Sequence, residues 1–420
     1  MIDRGYTAQI QKWLHKNKIL ILQWARQVWK TTLMKDISEN IKTKNPNAEI
    51  AFLQADKIDN IDIFSTPWNL ITYLKYYHNF PENYVYLFLD EFQYINNAWL
   101  FLKNIYDEYK DKLQILVSGS SSLEVSKNTE FLTGRAINFY IDRVGFFEYF
   151  TYKENIKNIN VFDPNDYELI QFNNLFKNKL NNNFFEYVTF WGYPEVLTYN
   201  DIETKKAILW QIFEAYIQKD IIEFLNIENI TAFNNLIKLL SSNVWELVNI
   251  NEISSTLNIS VQTVNKYIDM LQGTFVFSKL PPFFRNVRKE ISKMPKVFCE
   301  DLWLRNYSLK EFDAINKKIN IGQEVENFVY NELRKKFEKE QIYFYRTISK
   351  SEIDFVVSKQ YDLHTLIEVK YRNKPSAPVI MWNFSQRYNT DKKVIITKDY
   401  FEVQKDIQFI PAYLLPFVEI

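Results

Sequence analysis

The sequence predicts an α/β protein of several domains, the first built on a parallel sheet. Three stretches predict it. Ile19–Leu22 is an apolar run followed, after a short loop, by the helix start Lys30-Thr31-Thr32-Leu33. Val85–Leu89 is a second apolar run, ending in Asp90-Glu91. Farther on, Glu352–Val357 and Leu366–Tyr371 read as paired strands behind a helix that opens at Ile321. Short apolar runs bounded by polar turns mark strands buried on both faces. A chain of 420 residues with 47% hydrophobic residues has material for about two to four cores.

Charge and cysteine content narrow the class. Basic and acidic residues balance at 51 each, so no overall field draws the chain to nucleic acid or membrane, although local patches stay open. A single cysteine, Cys299, excludes an intrachain disulfide and a cysteine-rich metal site. His15, His78 and His364 are far apart in sequence and read as structural. No secretory pattern and no long apolar run appears, which predicts a cytoplasmic protein without membrane contact.

In chain order, residues 1–17 predict a lead-in helix with Ile10, Trp13 and Leu14 on one stripe. The segment from Trp24 through Ala25, Arg26, Gln27, Val28 and Trp29 to Lys30-Thr31-Thr32 has the spacing of a phosphate-binding loop, G-x-x-x-x-G-K-[ST]. Lys30 is placed to reach phosphates and Thr31 to offer a hydroxyl to Mg²⁺. Both glycine positions, however, hold tryptophan. Glycine there lets the backbone turn with positive φ and lets amides approach the phosphates. An indole fills that space, and an L-residue in left-handed geometry costs about 1–2 kcal/mol.

Composition offers an explanation. The chain has 7 glycines and 10 tryptophans, against the roughly 30 glycines that average usage of about 7% implies. Some bacterial codes read UGA as glycine, and a translation reading UGA as tryptophan writes Trp at those codons. The abundance of Asn, Lys, Ile, Tyr and Phe suits an AT-rich genome of that kind. The opposing reading is a degenerate loop that binds no nucleotide.

Ile50–Leu53 predicts the next strand and residues 65–79 a helix. Val85–Asp90 then reads as a Walker B strand, with Asp90 holding Mg²⁺ and Glu91 orienting or deprotonating the attacking water. A helix follows around Leu100–Tyr109, then the strand from Gln114 ending in Ser118-Gly119-Ser120-Ser121. Ser118 and Ser120 are candidate γ-phosphate sensors or plain turn residues. Arg135 is a candidate arginine finger, in cis or in trans, or a surface ion-pair partner.

Taken together, Ala-Arg-Gln-Val-x-Lys-Thr-Thr-Leu, Leu-Asp-Glu-Phe-Gln, Ser-Gly-Ser-Ser-Ser-Leu-Glu and Leu-Thr-Gly-Arg-Ala resemble the bacterial and archaeal AAA-type ATPases that carry a C-terminal domain of unknown function. Gly192-Tyr193-Pro194-Glu195 and Tyr216–Ile221 continue the resemblance, which covers nearly the whole chain. It implies ATP and Mg²⁺ as cofactors. The departures are of one kind: members usually have glycine where this chain has Trp24, Trp29, Trp99, Trp191, Trp245 and Trp303.

Residues 151–180 read as a solvated helical insert or linker, and 184–240 as helices resembling the lid of an AAA-type unit, with the pair Lys219-Asp220 near the nucleotide or in a structural salt bridge. Asn251–Leu257, the turn at Asn258–Ser260 and the helix Val261–Leu271 have helix-turn-helix spacing. Gln262, Thr263, Asn265 and Lys266 are the candidates to face a DNA major groove. Phe275–Leu280 and the basic stretch Arg285, Arg288, Lys289, Lys293 and Lys296 predict a wing, which serves DNA or a protein partner.

In residues 320–372, Glu326 on a helix, Asp354 on a strand and Glu368-Val369-Lys370 on the paired strand resemble a PD-(D/E)-x-K nuclease core. Glu326, Asp354 and Glu368 would gather a divalent cation. Side chains two apart on a strand share a face, so Lys370 sits beside Glu368 to serve at phosphate. The bland alternative is a nuclease-like fold without cleavage. Residues 378–400 predict a helix and the strand Lys393–Thr397, with the tail through Pro416 packed on this domain.

The full expectation is a P-loop ATPase core over residues 1–150, a helical lid over 151–240, a winged helix over 241–310 and a restriction-nuclease-like α/β domain over 311–420. The expected function is Mg²⁺-dependent ATP binding and hydrolysis that switches or remodels a partner, DNA among the candidates. The alternatives are an ATP-gated metal-dependent nuclease and a non-hydrolysing DNA- or protein-binding scaffold.

Overall fold

The first apolar run becomes β1 (Ile19–Trp24) in a computed structural model that describes residues 6–24, 30–119, 132–215, 227–286, 288, 290, 293–311 and 321–420. The chain divides into two units, Met1–Val144 with Tyr193–Thr198, and Gly145–Gly192 with Tyr199–Ile420.

In the first unit, α1 (Tyr6–Gln11) precedes β1, and α2 (Lys30–Lys44), β2 (Glu49–Gln54), α3 (Pro67–His78), β3 (Val85–Asp90), α4 (Ala98–Tyr109), β4 (Leu113–Gly119) and β5 (Ala136–Ile141) follow. The sheet has the order β2-β3-β4-β1-β5, and every pairing is parallel. Strand alternation sends Ile19, Ile21, Leu87 and Leu89 to one face, where Leu70, Leu74, Leu102 and Ile105 of α3 and α4 cover them. Leu20, Leu22 and Phe88 go to the other, under Met34 and Ile37 of α2 and Ile10 of α1. Capping sets α3: the Thr66 side chain accepts from the Asn69 N–H, Pro67 takes the first turn, and Asn79 ends the helix with φ 51°. The lead-in helix ends earlier than expected, at Gln11, and Trp13 is 39% exposed.

The second unit contains α5 (Phe146–Lys153), α6 (Tyr167–Phe190), α7 (Ile202–Phe213), α8 (Ile230–Ser242), α9 (Ile250–Leu257) and α10 (Val261–Gly273). A hairpin of β6 (Phe277–Leu280) and β7 (Lys296–Cys299) leads to α11 (Leu302–Leu309) and α12 (Ile321–Lys336). The chain then runs through β8 (Ile342–Arg346), β9 (Glu352–Lys359), β10 (Leu363–Val369), α13 (Val379–Ser385), β11 (Thr390–Thr397), β12 (Glu402–Val403) and β13 (Ile407–Pro411). This sheet has the order β12-β13-β11-β10-β9-β8; β8-β9-β10 is an antiparallel meander, and β10-β11-β13 is parallel. A crossover through α13 joins β10 to β11, as a parallel pair requires.

The stretch 151–180 is not a solvated insert. The start of α6 buries Leu169, Phe172 and Leu180, and Phe172 lies 5.4 Å, ring to ring, from Phe417. The aromatic residues at helical spacing outweigh the Asn and Lys between them, which take the outer face. Among the described residues, no helix is long and apolar enough to cross a membrane.

Among the described residues, two tryptophans have unusual backbones. Trp191 follows α6 with φ 60° and ψ −176°, and Trp245 has φ 68°. The first combination is in practice occupied only by glycine. Trp99 and Trp303 lie inside α4 and α11, where helical geometry makes no such demand.

Candidate functional site

In a parallel sheet all strands end on the same side, and ligands bind there, outside the carboxyl ends. Asp90 is the last residue of β3, and Ser118 lies near the end of β4. Thr31, in the first turn of α2, follows β1 on that same side. Asp90 is fully buried. One carboxylate oxygen accepts from the Thr31 hydroxyl at 2.6 Å; the other accepts from the Ser118 hydroxyl and from the Glu91 N–H at 3.1 Å. The Glu91 N–H is shared with Ser118 Oγ at 3.0 Å. These bonds hold Glu91 in left-handed geometry, φ 54° and ψ 41°, which turns the chain sharply out of β3. Such geometry costs about 1–2 kcal/mol for a residue with a Cβ, and it concentrates at functional sites. Gln93 Nε2 donates to Glu91 Oε2 at 2.5 Å.

A buried carboxylate beside a threonine hydroxyl is a donor set that suits a hard divalent cation. Thr32 is half-buried beside Thr31. Ala25, Arg26, Gln27, Val28 and Trp29 lie outside the described residues, as do the side chains of Trp24 and Lys30, Ser120 and the pair Lys219-Asp220. The Trp24 backbone closes β1 in register with Ile141.

Arg135 is placed elsewhere. Its carbonyl accepts from the N–H of Ile19 at the start of β1, so it stands at the amino ends of the strands. A six-residue strand spans roughly 20 Å, which removes Arg135 as an arginine finger acting in cis. It makes a two-pronged ion pair with Asp107, at 2.7 and 3.2 Å, and this bond holds the Asp107 carboxyl below the usual range.

In the second unit, the helix-turn-helix spacing folds as α9 and α10, with Asn258 left-handed and the Ser260 side chain capping α10 through the Thr263 N–H. Gln262, Asn265 and Lys266 are exposed on α10; Thr263 is half-buried, its hydroxyl on Ser260. Residues 245–248 add to the hairpin on the free side of β7, through Trp245 N–H to Val297 O at 2.7 Å and Val248 N–H to Pro295 O at 2.9 Å. The predicted basic wing needs correction. Arg285 is engaged by Asp362 at 2.8 Å, and Lys296 is buried rather than facing a partner.

Lys296 instead joins the carboxylates of the C-terminal sheet. Glu326 comes from α12, Glu352 and Asp354 from one face of β9, and Glu368 from β10. The Lys296 ammonium lies 3.4 Å from Glu326 and pairs with Glu352, which Arg346 also approaches at 3.5 Å. Asp354 Oδ2 accepts from the Val369 N–H at 2.8 Å, and the Asp354 N–H donates to Glu368 at 3.3 Å. Lys370 binds Glu368 at 2.5 Å. Burial, and then the charge of Asp354, push the Glu326 and Glu368 carboxyls well above the usual range. Burial also raises Asp354. Burial works to lower Lys296, but Glu326, Asp354 and Glu352 outweigh it and hold the ammonium charged.

The expected residues therefore share one end of this sheet, yet among the described residues no three Asp, Glu, His or Cys side chains stand where they could hold a metal ion. Sequence reading missed Glu352 and the role of Lys296. A signal existed: a lone lysine between Pro295 and the apolar Val297-Phe298-Cys299 sits on a strand whose neighbours are all buried.

Comparison with known proteins assigns the segments. Residues 16–150 match the AAA domain family. The N-terminal segment is an AAA-type P-loop domain. Residues 181–314 match a domain of unknown function (DUF8612), and residues 321–415 match another (DUF4143). An uncharacterized protein of Methanocaldococcus jannaschii is 25% identical over 413 residues, 94% of this chain and 84% of its own length. An uncharacterized protein of Haemophilus influenzae is 27% identical over 224 residues, and there the match spans about half of each chain, 52% and 53%. Domain III of the Thermotoga maritima replication initiation protein DnaA superposes loosely, with a TM-score of 0.31 and 13% identity over 51% of this chain and 84% of that one.

Proposed function

We propose that the AAA-type domain binds Mg²⁺-ATP, hydrolyses it, and uses the cycle to switch a partner engaged by the second unit. The observation that carries this reading is Asp90, buried at the carboxyl end of β3 with its two oxygens on the Thr31 and Ser118 hydroxyls. Thr31 and Asp90 would hold the cation, with Lys30 and the amides of residues 24–30 on the phosphates. Mg²⁺, when bound, would supply positive charge that offsets the charge developing on the phosphates. Glu91 takes a proton from the attacking water, and Ser118 ties its backbone to Asp90. The second unit supplies the contact surface: α9, α10 and the hairpin read as a winged helix over residues 241–310, with Gln262, Asn265 and Lys266 exposed toward duplex DNA. The strand order of residues 342–411 supports a restriction-nuclease-like fold over 311–420.

This reading requires glycine at positions 24 and 29, and the left-handed backbones of Trp191 and Trp245 support misread glycine codons in this chain. The test has two steps. Codons 24, 29, 99, 191, 245 and 303 are read in the gene; UGA at all six, with UGG at other tryptophans, supports the proposal. ATP hydrolysis is then measured on the Trp24→Gly/Trp29→Gly protein with and without duplex DNA. UGG at both loop positions, or no Mg²⁺-dependent ATP binding by that protein, removes the ATPase and leaves the non-hydrolysing scaffold.

A further inference from the structure

We infer that the acidic cluster of the C-terminal sheet is neutralised from within by Lys296, which takes the place of a divalent cation and latches the β6–β7 hairpin to the sheet. A nuclease-like core implies a metal held by Glu326, Asp354 and Glu368. The residues present do not fit that role. The Lys296 side chain is 4% exposed, and its ammonium reaches Glu326 at 3.4 Å and pairs with Glu352. It also lies 5.5 Å from the centre of the Phe344 ring, so aromatic and acidic groups both surround the charge.

The lysine is not free to withdraw. Its backbone sits in β7, opposite Leu280 of β6, and it bridges to Leu247 on the other side. Cations already stand among these carboxylates without a metal. Glu326, Glu352, Asp354 and Glu368 face the cations Lys296, Lys370 and Arg346. Lys370, the residue that would serve at phosphate, is already bound to Glu368. A divalent ion entering this cluster would meet the Lys296 ammonium as a like charge and would overshoot neutrality. Taking Lys296 away reverses the situation and leaves buried carboxylates unpaired, which favours any cation that can replace it.

The experiment titrates Mn²⁺ into the nucleotide-free full-length chain and reads free ion by electron paramagnetic resonance. Wild type, Lys296→Met, Lys296→Arg, Asp354→Asn and the Lys296→Met/Asp354→Asn double variant are compared. The expected result is identical Mn²⁺ binding by wild type, Asp354→Asn and Lys296→Arg. Lys296→Met is expected to gain a site at least tenfold tighter, which the double variant loses. A wild-type site abolished by Asp354→Asn, or a Lys296→Met titration that matches wild type, overturns the inference. If Lys296→Met does not fold, wild type against Asp354→Asn decides: equal titrations support the latch, and loss of a site in Asp354→Asn refutes it.

Discussion

Trp191→Gly separates a real tryptophan from a glycine written as one, because the two readings predict opposite signs. Trp191 is 3% exposed, its indole N–H donates to the Glu300 carbonyl at 3.2 Å, and its ring lies 5.3 Å from Tyr187. Removing a buried indole from a pocket shaped for it costs about 3–5 kcal/mol, and the added chain freedom of glycine about 0.5–1 more. Against this stands the backbone at φ 60° and ψ −176°, whose relief returns about 1–3 kcal/mol. A native tryptophan thus leaves Trp191→Gly destabilised by about 0.5–5 kcal/mol. Where the neighbours are shaped around glycine, they close over the site, the cavity term falls away, and the variant is more stable by about 1–2 kcal/mol. Urea unfolding followed by circular dichroism reads the difference as a shift in midpoint at constant slope. The expected shift is upward. A loss of more than about 2 kcal/mol refutes the glycine reading at this position.

Glu91→Gln should keep ATP binding and lower turnover by about 10²–10⁴-fold, because the proton acceptor is lost while the Asp90 bonds stay; single-turnover hydrolysis checks it, and loss of binding together with turnover argues against this role. Arg135→Ala should leave the unfolding midpoint unchanged, since its ion pair with Asp107 is exposed; a fall in turnover only at protein concentrations that support assembly would show it acting in trans. Stability should decline as pH rises from about 5 to 8. Glu326 is pushed from its ordinary value of 4.5 up to about 8 by burial, so the folded chain binds a proton that the unfolded chain releases in that window. The stabilising contribution is full below the unfolded value and is lost as pH climbs through the folded one. Glu326→Gln should flatten the slope in urea midpoints measured across that range, and an unchanged slope counts against the assignment.

Much of the first unit was legible because its strands are continuous apolar runs and its chemistry sits at their ends. Ile19–Leu22 and Val85–Asp90 announce themselves in this way, and Asp90-Glu91 marks the site without any knowledge of topology. The place of Arg135 was not legible. Only the parallel register of β5 on β1 puts it at the far end of the strands from Asp90, and register is a tertiary property. The three carboxylates of the C-terminal unit were found through the resemblance of helix Glu, strand Asp and Glu-x-Lys to a nuclease core, whereas Lys296 was read as part of a basic surface run. A charge count along the sequence cannot tell a solvated lysine from one buried by partners fifty residues away. Asn and Lys likewise hid the buried face of α6, where Phe172 follows Leu169 at helical spacing.

The tail after β13 bears on how this chain is made. Phe417 packs on Phe146, Phe150 and Phe172 at ring distances of 6.1, 5.7 and 5.4 Å, and Phe162 exchanges backbone hydrogen bonds with Phe417 and Glu419. The helices that begin the second unit are therefore finished by residues synthesised roughly 250 positions later. At about 5–20 residues per second, α5 and α6 wait some 10–50 s on the ribosome with an aromatic face uncovered. During that interval they are a natural client for a chaperone. A Phe417→Ala substitution therefore strikes the closing step of folding.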